Sequence, residues 1–293
     1  MIPLVVCDDS NMARKQLIRA LPAEWPVTIS QATNGQEALA ALRQGLGQVM
    51  LLDLTMPVLD GYETLAAMRA EGLACKVVVV SGDVQDEAVR RVKELGALAF
   101  IKKPADPETL RSTLLELGLF DPKATPTAVA QAAVLDELKV NFRDALREVT
   151  NVAMGRAAAL LAKVLGVFVQ LPVPQVNIFE VSELHMTLTD AMRGERLSAV
   201  CQGFIGDGIA GEALLLFHDS EVADMAKLLG WQPKDDTQTS EMLLDLASIL
   251  PGRNRRADRR AFLAGPPATA GPAFIYRTAD SPQPTALAQD AGH

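Results

Sequence analysis

Side chains capable of phosphoryl chemistry stand where strand-like runs give out. Asp8 and Asp9 follow the apolar run Pro3–Cys7, and Asp53 closes the run Val49–Asp53. Ser81 ends the run KVVVVS (Lys76–Ser81), and Lys103-Pro104 follows Ala97–Ile101. Three carboxylates at neighbouring strand ends repel one another. A hard cation with oxygen ligands and water, Mg²⁺, relieves that repulsion. A carboxylate beside such a cation attacks a phosphoryl group and forms an aspartyl phosphate. The transferring group needs its charge neutralised on several sides, and the Lys103 ammonium and Ser81 hydroxyl supply two of them. Taken singly, an Asp-Asp pair reads as a helix N-cap and a Lys-Pro pair as a turn. The ordered series at successive strand ends is the stronger signal.

A second set lies further on. In DALREVTN, Asp144, Glu148 and Asn151 stand at i, i+4 and i+7. At about 100° per residue they share one helix face. By spacing alone this stripe reads first as the solvated face of an amphipathic helix. Gly155-Arg-Ala-Ala-Ala159 follows at once, and residues this small allow another chain segment to approach closely.

The elements that must position the first set alternate in type. Strand-like runs at Pro3–Cys7, Val27–Gln31, Val49–Asp53, Lys76–Ser81 and Ala97–Ile101 each precede a helical pattern. Five such units predict an α/β, flavodoxin-like (βα)5 domain over 1–119, with helices on both faces of a parallel sheet. Its ligands bind beyond the carboxyl ends of the strands. Asp53 is the best nucleophile candidate, because the third strand lies centrally in that order. Residues 120–134 read as a linker, and an α+β domain is expected over 135–250. There Leu135–Leu165 is one helical pattern closed by Gly166, and Val167–Val176 is extended. Leu197–His218 reads as a hairpin, Asp219–Leu229 as a helix capped by Asp219 or Ser220, and Ser240–Leu250 as another helix. Residues 251–293 are rich in Pro, Gly, Ala and Arg and read as an irregular, mostly disordered tail.

Composition bounds the rest. The 293 residues are 49% hydrophobic and 22% charged, which suits two globular domains. A net charge of −8 argues against a nucleic-acid binder. Three scattered cysteines and three histidines leave no disulfide framework and no multi-histidine metal site, consistent with a cytoplasmic protein. No apolar run approaches the roughly 20 residues of a membrane span, and the N-terminus lacks the basic start of a signal peptide.

The motifs VVCDDS (5–10), LLDLTMPVLDG (51–61), VVVVSGD (77–83) and FIKKP (100–104) resemble the CheY-like response-regulator receiver domain. The resemblance covers 1–119. It implies phosphorylation of Asp53 by a CheA-like histidine kinase. It implies Mg²⁺ held by Asp8, Asp9, Asp53 and the backbone carbonyl of Thr55. It places Ser81 and Phe100 at the switch positions and Lys103 at the phosphoryl-contacting lysine, with a cis bond to Pro104.

The segment EVTNVAMGRAAALLAKVLGVFVQLPVPQV (148–176) resembles the CheC/CheX/FliY chemotaxis phosphatases over roughly 135–250. Asp144, Glu148, Asn151 and Pro174 match that family's pattern. The likeness implies an enzyme that removes the phosphoryl group from a phosphorylated CheY-like receiver, its own or another. Asn151 would hold the attacking water and Glu148 would reach the receiver lysine, with Asp144 and Pro174 in support. A repeated motif on the later helix is degraded to Glu241, Asp245 and Ser248, which implies one working site. The alternative is a non-catalytic regulator whose second domain only binds partners, such as flagellar or chemoreceptor-complex proteins. The family pattern stops abruptly after Leu250. A changed reading frame and a native tail are both open explanations. A haloacid-dehalogenase-type phosphatase is excluded because position 55 is Thr rather than a second acid.

Overall fold

The computed structural model describes residues 1–122, 140–177, 183, 186, 197–206, 209–233, 235–249 and 269–277. The chain divides into two compact units. One comprises Met1–Ala159 with Phe168–Asn177, and the other Leu160–Val167 with Ile178–His293.

The first unit is built on five parallel strands: β1 (Ile2–Cys7), β2 (Val27–Ala32), β3 (Val49–Leu52), β4 (Lys76–Ser81) and β5 (Ala99–Lys102). Their order is β2-β1-β3-β4-β5, so β3 is central. The helices between them are α1 (Asn11–Ala20), α2 (Gly35–Arg43), α3 (Gly61–Glu71), α4 (Asp86–Glu94) and α5 (Pro107–Glu116). Side chains alternate across a strand, so apolar runs feed two cores at once. Leu4, Val6, Leu51, Val78 and Val80 meet Leu17 and Ile18 of α1 and Leu110 and Leu114 of α5. Val5, Cys7, Met50, Leu52, Val77 and Val79 meet residues of α2, α3 and α4, among them Leu39, Leu65 and Val92. Short polar residues start the helices. Asn34 caps α2, Asp60 and Glu63 form a capping box on α3, and Asp106 precedes Pro107 at the start of α5.

The sequence pattern places Phe120 at the start of the linker. It is buried in the core with Leu114 and lies under the Arg111 guanidinium, 4.8 Å from the ring centroid. Apolar area and a cation-π contact hold it there, so the domain extends one residue further. Of the remaining linker, residues 123–134 lie outside the described residues. The same holds for 135–139 of the long helical pattern. Its described helix, α6, runs Phe142–Leu165 and ends at Gly166, whose φ of 70° is the left-handed value that favours glycine. Residues Phe168–Asn177 carry no strand.

In the second unit β6 (Leu197–Gly206) pairs antiparallel with β7 (Ile209–His218), the expected hairpin. Helix α7 (Asp219–Leu228) starts one residue earlier than the assigned caps: His218 is its N-cap, and the His218 N–H donates to Glu221 Oε2 at 2.9 Å. Helix α8 spans Asp236–Ile249. Val200, Val222, Ala226, Met242, Leu243 and Leu246 form this unit's core. The expectation of an irregular tail fails over Thr269–Arg277. That segment is a strand, β8, paired antiparallel with the free edge of β6. The edge of β6 offers unpaired N–H and C=O groups, and a segment containing Phe274-Ile275-Tyr276 has the β-propensity to take them. The rest of 251–293 lies outside the described residues. Among the described residues no helix is long and apolar enough to cross a membrane.

Leu51 is fully buried in the central strand. Leu51→Ala is expected to destabilise the first unit by about 3 kcal/mol, seen as roughly 100-fold faster hydrogen exchange at the slowest β1 and β3 amides.

Candidate functional site

The carboxyl ends of β1, β3 and β5 bring Asp8, Asp9, Asp53 and Lys103 together. Register does this: Cys7 pairs with Leu52 across β1 and β3, so the residues that follow each strand emerge side by side. Asp8 and Asp53 are buried, as is the lysine. Lys103 Nζ lies 2.7 Å from Asp8 Oδ2, 3.2 Å from Asp53 Oδ2 and 3.3 Å from Glu148 Oε1. The Lys103–Pro104 bond is cis. Ser81 is fully buried at the end of β4, where its Oγ accepts from the Asp83 N–H at 3.2 Å. Phe100 is half-buried against the core on the α2–α4 side.

Burial and the neighbouring carboxylates set the electrostatics. Burial pushes the Asp53 carboxyl up to about 8; Asp8, Glu148 and Asp9 push with it, against the pull of Lys103. Burial and Asp8 push Asp9 up to about 6, against Arg147 and Lys103. Burial alone would lower the Lys103 ammonium, but Asp53, Asp8 and Glu148 hold it well above its ordinary value. Burial raises the Glu148 carboxyl, and Lys103 offsets part of that rise. One ammonium is too little charge for this many buried acids.

A divalent cation fits that deficit. Asp8, Asp9 and Asp53 each present an oxygen, and these lie within 4.8 Å of one another. Among the described residues, Asp8 Oδ2 and Asp53 Oδ2 are buried with no partner other than the ammonium. An all-oxygen, carboxylate-rich set suits Mg²⁺. Thr55, two residues beyond Asp53, is half-buried and lines the cavity described below.

Helix α6, through its residues up to Ala159, belongs to this same unit and covers these strand ends. Asp144 accepts from the N–H groups of Asn11 (3.0 Å) and Met12 (2.7 Å). These are the first two donors of α1. Ser10 serves the next two, through its side chain to Ala13 and its carbonyl to Arg14. A carboxylate there satisfies orphan donors and meets the positive end of the helix dipole. Arg147 pairs with Asp9, and Glu148 with Lys103. Asn151 is buried and, with Leu54, Thr55, Met56, Met154 and Phe168, lines a cavity of about 430 Å³. Pro174 is buried but does not line that cavity. On α8, Glu241 and Asp245 are exposed while Met242, Leu243 and Leu246 face the core.

Close approach depends on two glycines. A Cβ on Gly155 would stand 2.4 Å from the carbonyl carbon and oxygen of Gly82 and 2.7 Å from Asp83 N. A Cβ on Gly82 would lie 3.0 Å from Val152 Cα. Nothing in the spacing of Arg147 and Gln85 announces them, because their partners lie far along the chain. Gly82 stands in the motif VVVVSGD and Gly155 in a run of small residues.

Residues 4–115 match the family described as response regulator receiver domain. This part of the chain is a receiver domain. The protein-glutamate methylesterase/protein-glutamine glutaminase of Halalkalibacterium halodurans is 29% identical over 225 residues, 73% of this chain and 63% of that protein. The transcriptional regulatory protein ZraR of Klebsiella oxytoca is 28% identical over 55% of this chain and 37% of that protein. The chain thus spans less than two thirds of the curated relatives it matches. The solved receiver domain of the response regulator NarL from Mycobacterium tuberculosis is 29% identical and covers 40% of this chain and 94% of its own, with a TM-score of 0.37.

Two outcomes are expected. Asp9→Ala weakens Mg²⁺ binding at least tenfold by calorimetric titration, since it removes one of three carboxylates. Gly155→Val lifts α6, and hydrogen exchange at the Asn11 and Met12 amides rises at least tenfold as their Asp144 acceptor leaves.

Proposed function

We propose that this chain is a two-component signalling protein with two linked activities. A histidine kinase, CheA-like by the resemblance, phosphorylates Asp53. Helix α6 then supplies the residues that hydrolyse the aspartyl phosphate, as in the CheC/CheX/FliY phosphatases. The observation that carries this reading is the placement of α6 at the strand ends: Glu148 on Lys103, Arg147 on Asp9, and Asn151 lining one cavity with Leu54 and Thr55. These contacts lie within one chain and favour its own Asp53 as the substrate.

Each group has a task. Asp53 carries the phosphoryl group, and Lys103 offsets its charge with the Ser81 hydroxyl as a further donor. Asp8, Asp9 and Asp53, with the Thr55 carbonyl by the resemblance, would hold Mg²⁺, which would supply the remaining charge neutralisation. Glu148 holds the Lys103 ammonium and fixes the helix over the site. The Asn151 amide accepts a hydrogen bond from a water and orients its oxygen toward phosphorus. That oxygen bonds to phosphorus as the bond from phosphorus to the Asp53 carboxylate oxygen breaks. Asp53 leaves as a carboxylate, and both protons of the water depart with inorganic phosphate as dihydrogen phosphate. The cavity beside Asn151 gives water a place to enter.

Asn151→Ala is expected to slow the loss of Asp53 phosphate about 100-fold after labelling with acetyl phosphate, with labelling itself retained. Asp53→Ala takes no label. Phosphate release and phosphate-affinity electrophoresis read both. Loss at the parent rate in Asn151→Ala would remove the hydrolytic role.

One observation favours a second reading. Asp144, Arg147 and Glu148 engage α1 main-chain amides, Asp9 and Lys103, contacts that hold a helix in place whether or not it does chemistry. Helix α6 would then be a cover that binds and shields the receiver without chemistry, as a partner-binding module. In that case Asn151→Ala leaves the phosphate lifetime unchanged, while Gly155→Val speeds labelling.

A further inference from the structure

We propose that Gln85 is a positioning residue: it is the address on the receiver by which the segment following α6 recognises this domain and seats Asn151. The inference rests on the hydrolytic reading above and adds the recognition that reading lacks.

The contacts of α6 fall into two classes. Asp144 takes main-chain N–H groups, Arg147 takes Asp9, and Glu148 takes Lys103. These partners are backbone, or groups that the phosphoryl chemistry itself requires. They hold a helix over such a site without selecting this one. Gln85 differs. It is only 4% exposed, and its side-chain amide pairs twice with one residue of the segment after α6. Gln85 Nε2 donates to the Val169 carbonyl at 2.7 Å, and Gln85 Oε1 accepts from the Val169 N–H at 3.0 Å. The amide thus acts as one more rung of a strand ladder.

Its orientation is set from within the receiver. Asp83 Oδ1 accepts from the Gln85 backbone N–H at 3.1 Å and from Nε2 at 3.0 Å. One Nε2 hydrogen serves Asp83 and the other serves Val169, so both donors are used. Few side chains could replace it. Glutamate keeps the acceptor and loses the donor. Asparagine is one methylene short, and an apolar residue leaves both Val169 groups unanswered. Beside the pair, Phe168 stands edge-on to Tyr62 with ring centroids 6.4 Å apart, and Arg91 lies 4.5 Å from the Tyr62 ring. Gly82 completes the address by admitting Gly155. Residues 82–85 directly follow Ser81, so the contact that places the helix sits next to the phosphoryl site.

The test uses the full chain labelled at Asp53 with acetyl phosphate. Gln85→Ala should slow loss of the phosphate about tenfold, the effect of two neutral hydrogen bonds. Gln85→Glu, which sets a carboxylate against Asp83 Oδ1 and the Val169 carbonyl, should slow it at least as much. In an Asn151→Ala background, Gln85→Ala should leave the residual slow hydrolysis unchanged, which damage to the receiver itself would not. Hydrogen exchange at the Asn11 and Met12 amides, which Gln85 does not touch, should rise in Gln85→Ala. Parent-rate hydrolysis in Gln85→Ala, a further change in the Asn151→Ala background, or unchanged exchange at Asn11 and Met12 would each overturn the proposal. If Asn151→Ala hydrolyses at the parent rate, the catalytic reading falls by itself, and exchange at Asn11 and Met12 still decides for or against Gln85.

Discussion

The buried ammonium of Lys103 is the interaction on which the first unit depends. It stands among Asp8, Asp53 and Glu148, three carboxylates that could not share so small and dry a space without it. One positive charge among several acids leaves a deficit. That deficit draws in whatever cation or donor the geometry admits. In the receiver it favours a divalent cation at Asp8, Asp9 and Asp53. On the side of α6 it is met by Arg147, which answers Asp9. The acids at the strand ends therefore give α6 two ion pairs, Arg147 on Asp9 and Glu148 on Lys103.

Attraction alone would not place α6 correctly. Long side chains reach an ion pair from many poses, and such pairs specify distance poorly. The pose is narrowed by shape and by the backbone. Gly155 against Gly82 sets how near the helix comes. Asp144 on the first two amides of α1 sets where along the receiver it lies, because those donors sit at one point in space. Asp53 itself is almost wholly buried.

Much of the receiver was legible because its signals are local and redundant. Continuous apolar runs at β3 and β4 mark strands buried on both faces, and Asp53 just beyond β3 and Ser81 at the end of β4 lie at the candidate site. Asp8, Asp9, Asp53, Ser81 and Lys103 are candidates on the sequence alone, since a parallel sheet delivers its strand ends to one edge. The later part was less legible. Periodicity found α6 and the hairpin but misjudged Phe120, whose place is fixed by a ring and a guanidinium, not by a pattern. It also missed β8, because a strand that joins an edge borrows its order from its neighbour.

The sequence by itself determined which chemistry is available: carboxylates, a lysine and an asparagine, set out at spacings that one sheet and one helix face bring into line. Those spacings follow from the periods of strand and helix, which are properties of the backbone and can be counted along the chain. Only the tertiary structure decided which groups meet. Glu148 and Lys103, Arg147 and Asp9, and Gln85 and Val169 are far apart in sequence, and each pair is joined by packing. Whether the stripe on α6 was a solvated face or a working one could not be read from its spacing, because both have the same period. Burial of Glu148 and Asn151 against the receiver settles that it is not solvated. Burial is a relation between elements, and no single element carries it.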